Sequence, residues 1–107
     1  MTKFYCLGCY TGKGLGGFTS NPKTDRRAAT KSLLESAGAK LTDYSLLRGS
    51  YDFIATCEGT FNQMAAGKMV AESSGSVHNF IILEDINMNK IAELANKMTS
   101  IYKAPGK

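Results

Sequence analysis

Long apolar runs are missing from this chain. Nothing approaches the roughly 20 residues a membrane-spanning helix needs, and Met1-Thr2-Lys3 leads into a mixed strand rather than the apolar stretch of a signal peptide. The protein is therefore expected in the cytoplasm, without a membrane partner. Cysteine is scarce and odd in number: Cys6, Cys9 and Cys57 cannot close a disulfide framework, which fits free thiols in a reducing compartment. Histidine occurs once, so any general-base or metal-facing role open to imidazole falls on His78 alone. Acids are thin in the first half. Residues 1–50 carry eight Lys or Arg against three Asp or Glu, and residues 51–107 carry five against six, so any anion-binding surface belongs to the first half. The composition, 43% hydrophobic and 21% charged, excludes intrinsic disorder. A length of 107 residues points to one domain, over residues 1–103, with Ala104-Pro105-Gly106-Lys107 as a loose tail.

The aromatic, β-prone segment Lys3 to Tyr10 predicts a strand, and Gly12-Lys13-Gly14-Leu15-Gly16-Gly17 after it predicts a mobile loop. Thr24 or Asp25 can cap a helix running to Ala37, with Ala29, Leu33 and Ala37 on its stripe and Gly38 as its stop. Two strands follow, Lys40 to Arg48 and Tyr51 to Glu58, and Gly49-Ser50 between them signals a tight antiparallel hairpin. Thr60 with Gln63 spells a capping box. The helix it opens is expected to turn Phe61, Met64, Ala65 and Met69 inward and to end at Ser73-Ser74-Gly75. Val77 to Leu83 reads as a fourth strand. From about Met88 a last helix spaces Ile91, Leu94, Ala95, Met98, Ile101 and Tyr102 along one side.

The order β-α-β-β-α-β-α is that of the α+β ferredoxin-like split β-α-β, a four-stranded antiparallel sheet in the order 4-1-3-2. The helices of such a fold lie on one face, so the other face should alternate with polar residues. Neither set does: Phe53, Ala55 and Cys57 oppose Ile54 and Thr56, and Val77, Ile81 and Leu83 oppose Phe80 and Ile82. About half a dozen apolar side chains left wet would forfeit roughly 1.5–3 kcal/mol each. A second copy of the chain is the simplest cover, a dimer in preference to a trimer, with two sheets face to face as in dimeric α+β barrels.

At Gly49-Ser50-Tyr51-Asp52 the chain resembles the GYD family of small domains. Supporting pieces are Tyr10-Thr11 before the glycine stretch, Arg26-Arg27-Ala28-Ala29, Leu33-Leu34-Glu35-Ser36-Ala37-Gly38-Ala39-Lys40-Leu41, and Ser73-Ser74-Gly75-Ser76-Val77, spanning about residues 4 to 98. The resemblance implies a ferredoxin-like fold of the dimeric α+β barrel type and supplies no activity. Arg48 and Ser50 depart from the family pattern, and Ser20-Asn21-Pro22 lengthen the segment before the next helix.

Topology gathers the ends of the first two strands and the starts of the other two at one sheet edge. The expected ligand-binding set there is Thr11, Gly14, Arg26, Arg27, Arg48, Gly49, Tyr51, Asp52 and His78. A catalytic reading makes His78 the base, with Tyr51 and Asp52 orienting it. With the first strand between them, the Asp52 and His78 backbones would stand roughly 10 Å apart at ~4.8 Å per strand, so a bridging ligand fits better than a direct pair. The plainer reading makes Asp52 a hairpin cap, Tyr51 a packing residue and His78 an edge histidine. Arg26, Arg27 and Lys31 crowd the positive end of the first helix; a bound phosphate or carboxylate, or an acid from a neighbouring subunit, would relieve the repulsion.

Three motifs are set aside. Gly12, Gly14 and Gly17 match G-x-G-x-x-G, but Pro22 and a polar loop stand where a helix must open. Cys6 and Cys9 spell C-x-x-C, yet odd spacing in a strand sends them to opposite faces, so no metal is expected. Arg48 to Ile54 has the outline of an RNA-recognition strand, but Ser50 and Asp52 replace the stacking aromatics, and nucleic acid is not expected as a partner. The functional expectation is a cofactor-free homo-oligomeric module that binds a small ligand, an anion among the candidates, or regulates, with the glycine stretch as its lid. The rival is a cofactor-free enzyme of monooxygenase or isomerase type, which needs His78 and Asp52 facing a closed cavity.

Overall fold

A computed structural model describes residues 2–106; Met1, and Lys107 at the end of the expected tail, lie outside the described residues. The chain runs β1 (Thr2–Tyr10), α1 (Gly12–Ser20), α2 (Arg26–Ser36), β2 (Lys40–Leu46), β3 (Phe53–Gly59), α3 (Phe61–Ser73), β4 (Val77–Glu84) and α4 (Met88–Thr99). The four strands form one antiparallel sheet in the order β2-β3-β1-β4, the expected 4-1-3-2 read from the other end. Among the described residues no helix is long and apolar enough to cross a membrane.

Period-two alternation places the core. Phe4, Cys6 and Tyr10 on β1 and Phe53, Ala55 and Cys57 on β3 are all buried on the face that α2 and α3 cover with Leu34 and Met64. Capping follows the sequence closely. Asp25 Oδ1 accepts from Ala28 N at 3.0 Å to open α2, and Gly38 at φ +84° lets the chain leave it. Thr60 and Gln63 form both halves of the capping box of α3.

Five expectations are corrected. The glycine stretch is a helix, α1, because Thr11 caps it and Gly14 packs against the Ser76 carbonyl where any Cβ would collide. Tertiary contact overrides a propensity cost of about 1 kcal/mol per glycine. The hairpin is not tight: β2 stops at Leu46, β3 starts at Phe53, and a loop over 47–52 closes with Leu47 N donating to Asp52 O at 2.8 Å. On α3 the inward line is Met64, Gly67 and Ala71, while Phe61 and Met69 are 56% and 72% exposed. On α2, Leu34 is buried and Ala37 is an exposed C-cap. Finally, β4 is irregular. Asn79 sits at φ +52° and the β1–β4 register shifts between Leu7 and Cys9, which turns Val77 to the helix side with Phe80 instead of leaving it with Ile81 and Leu83.

The last helix stands apart. None of its residues is buried, and Met88, Ile91, Leu94, Met98, Ile101 and Tyr102 are 46–82% exposed. The radius of gyration of 18.3 Å exceeds the roughly 13 Å of a compact domain near this length, and the longest dimension is 64 Å against 30 and 22 Å.

Candidate functional site

Between the sheet and its covering helices lies a cleft of about 240 Å³. It exists because the helices present little bulk there: Ala29 on α2 and Gly67 and Ala71 on α3 line it where larger side chains would have filled it. Its floor is aromatic and thiol-bearing. Phe53 is the hub, with Tyr44 stacked at 5.9 Å and 16°, Tyr10 at 5.5 Å and Phe80 edge-on at 6.1 Å. Cys6 and Cys57 lie behind them on the same face. Gly8 lets the Phe53 ring lie across the sheet, since a Cβ there would stand 2.7 Å from its Cζ.

Polarity is confined to a few groups. The Tyr10 and Tyr44 hydroxyls are 2.7 Å apart and hydrogen-bonded to each other. Burial pushes the pKa of both above the ordinary tyrosine value, so they stay protonated donors. Arg26, in the first turn of α2, lays its guanidinium 5.0 Å from the Tyr10 ring centre and 4.6 Å from that of Phe18, and Nη2 donates to Gly14 O at 2.7 Å. It thereby ties α1 to the cleft. No carboxylate of the described residues pairs with it, whereas Arg27 stands 3.7 Å from Asp43 and Lys31 3.9 Å from Glu35. An acid of the chain itself thus answers the charge of Arg27, and Asp25 already fills the α2 N-terminus. The neighbouring Cys6 pulls the Cys57 thiol down, and Cys6 is itself pushed up, first by Cys57 and then by burial, while its Sγ donates to Met64 Sδ at 3.8 Å. Among the described residues no three His, Cys, Asp or Glu side chains cluster to hold a metal ion.

Of the nine residues expected to bind ligand, only Arg26 lines this cleft. Thr11 and Gly14 adjoin it structurally: the Thr11 hydroxyl accepts from Gly14 N at 3.2 Å and donates to Gly75 O, and so is fully engaged. Asp52 serves the backbone, its Oδ2 accepting from Tyr10 N at 2.8 Å and its own N donating to Gly8 O at 2.8 Å. His78 is exposed and pairs with Cys9, on the far side of β1 from Asp52. Arg48 and Gly49 are exposed in the 47–52 loop, and Tyr51 is half-buried there. The structure therefore does not assemble His78, Asp52 and Tyr51 into one constellation. Cys6 and Cys9 do part to opposite faces, Cys9 Sγ donating to Ser50 O at 3.3 Å. The cleft itself escaped the sequence reading. Its one linear signal is a pair of tyrosines at core-facing strand positions opposite Ala and Gly on the helices.

Fold and cleft together define a small ferredoxin-like α+β domain with a ligand-sized space beneath its helices. The chain belongs to the GYD family: the family model, described as the GYD domain, matches residues 4–95, from β1 into α4. No curated protein matches it.

Proposed function

We propose that this domain is a non-catalytic, homo-oligomeric module that binds a small organic molecule in the cleft between sheet and helices. The cleft carries the reading. Left without an occupant, the partly open 240 Å³ cleft keeps apolar walls in contact with water, at a cost of about 25 cal/mol for each Å² of apolar surface. A bound molecule offsets it, and α1, tied to the cleft through Arg26 and Phe18 and to the Ser74 and Ser76 carbonyls through Lys13 and Thr11, is the segment that opens to admit it. A cytoplasmic setting suits the three free thiols.

Self-association is supported by the surfaces the chain leaves bare. The open sheet face carries Leu7, Ile54, Ile81 and Leu83, and α4 adds an unpacked apolar line. A second copy covers both at once, in the manner of a dimeric α+β barrel.

Xenon and benzene test the cleft directly, since dry apolar cavities take up both. Shifts confined to the amides of Gly67, Ala71 and Phe80, with a raised thermal midpoint under benzene, are expected. Uniform indifference of those amides to both probes overturns the reading.

A further inference from the structure

We infer that the cleft is built for a single-ring aromatic carboxylate, an inference that rests on the cleft being the binding site and adds the class of its occupant. Size comes first. A cavity of about 150 Å³ holds benzene; scaled to 240 Å³ the space takes about ten non-hydrogen atoms, one ring with a short substituent. Shape follows from the walls. Phe53 and Phe80 offer ring surfaces below, and Gly67 and Ala71 offer almost no side chain above, which suits a flat body more than a branched one.

The polar groups then choose the substituent. Two tyrosine hydroxyls own two hydrogens, and their mutual bond uses one; the other is left to donate. The Arg26 guanidinium has five N–H donors, and one of them is engaged with Gly14 O. Half-buried, with no carboxylate partner among the described residues, it supplies a positive charge at the rim of an otherwise apolar space. Of the polar groups lining the cleft, the tyrosine pair and Arg26 hold uncommitted donors, and Arg26 is cationic; the Thr30 and Ser74 hydroxyls donate to Arg26 O and Ala71 O instead. A carboxylate, with two acceptor oxygens and one negative charge, matches Arg26 with one oxygen and the tyrosine pair with the other. A neutral amide of the same shape presents an NH₂ to donors and leaves the charge unanswered.

Benzoate and benzamide are therefore the deciding probes, titrated into the full chain while backbone amides are followed by NMR. Benzoate is expected to perturb Thr30, Gly67, Ala71 and Phe80 and to bind at least about tenfold more tightly than benzamide, a margin that one charge-assisted hydrogen bond provides. Arg26→Gln should erase that margin, bringing the benzoate and benzamide affinities to within about twofold of each other, and Tyr44→Phe should narrow it. The wild-type ratio decides the matter even where a variant fails to fold. Equal affinities at the cleft sink the carboxylate class and leave the cleft as a binding site. Benzoate shifts confined to surface lysines sink it also, and if xenon and benzene likewise leave the cleft amides untouched, the binding site falls with it.

Discussion

Two hydroxyls 2.7 Å apart under a helix layer make Tyr10 and Tyr44 sensitive reporters of the fold. Burial is the first cause of both raised pKa values; the bond they share adds to the rise at Tyr44 and works against it at Tyr10. A proton held more tightly in the folded chain contributes stability that is whole below the ordinary value of 10. That stability is lost as pH rises past it toward the folded values, because the unfolded chain ionises first. Stability should be level at neutral pH and fall above pH 10, with two of the five tyrosines ionising only as structure is lost. Absorbance of phenolate, followed beside circular dichroism, checks this, and Tyr44→Phe should remove one late-ionising group. Were every tyrosine to ionise near pH 10 with the fold intact, the buried pair would not exist. Asp52 teaches the converse lesson at this scale: a carboxylate beside a tyrosine and near a histidine reads as chemistry in one dimension, yet it caps the Tyr10 amide in three.

Among the elements, those legible in the sequence are the ones whose signals are local. The Thr60–Gln63 box and the Asp25 cap with its Gly38 stop placed α3 and α2, and apolar strands placed β1 to β4, since caps and period-two patterns need only near neighbours. What stayed hidden depends on partners distant in sequence. Helix α1 is written in glycine, and its reason lies some sixty residues on, where Lys13 Nζ donates to Ser74 O at 3.0 Å and Thr11 N to Ser76 O at 3.0 Å. The rotation of α3, which puts Met64 in and Met69 out, is set by the sheet beneath it and not by its own composition. Likewise the stripe expected to face inward on α2 was Ala29, Leu33 and Ala37, and packing in the core chose Leu34. A paired substitution separates these causes in α1. Gly16→Ala meets nothing within 4 Å and should stabilise by up to about 1 kcal/mol through helix propensity. Gly14→Ala drives a methyl at the Ser76 carbonyl and should cost about 1–3 kcal/mol. Thermal unfolding measures both, and hydrogen exchange across Gly12–Ser20 should slow in the first and quicken in the second. Equal effects of the two would mean that α1 is not docked through Gly14.

Across the whole molecule the unsolved problem is apolar surface. The sheet's second face and the α4 line are each uncovered within one chain, and α4 points away from the body it belongs to, as the 64 Å length records. Two copies that place each α4 against the partner satisfy both surfaces with one symmetric contact. Six large side chains, four on α4 and Ile101 and Tyr102 just past its end, at roughly 1.5–3 kcal/mol each when fully buried rival the whole stability of the domain, so association and folding should be coupled. The thermal midpoint is then expected to rise with protein concentration. Sedimentation of the wild type should give about twice the 11.5 kDa chain mass. Leu94→Asp places a carboxylate in the middle of the line, 63% exposed in the single chain and hence harmless there, yet costly once covered. The variant should sediment nearer the monomer and lose the concentration dependence. A wild type that sediments as one chain, soluble, with a midpoint unmoved by dilution, would show that α4 and the open sheet face have no partner copy.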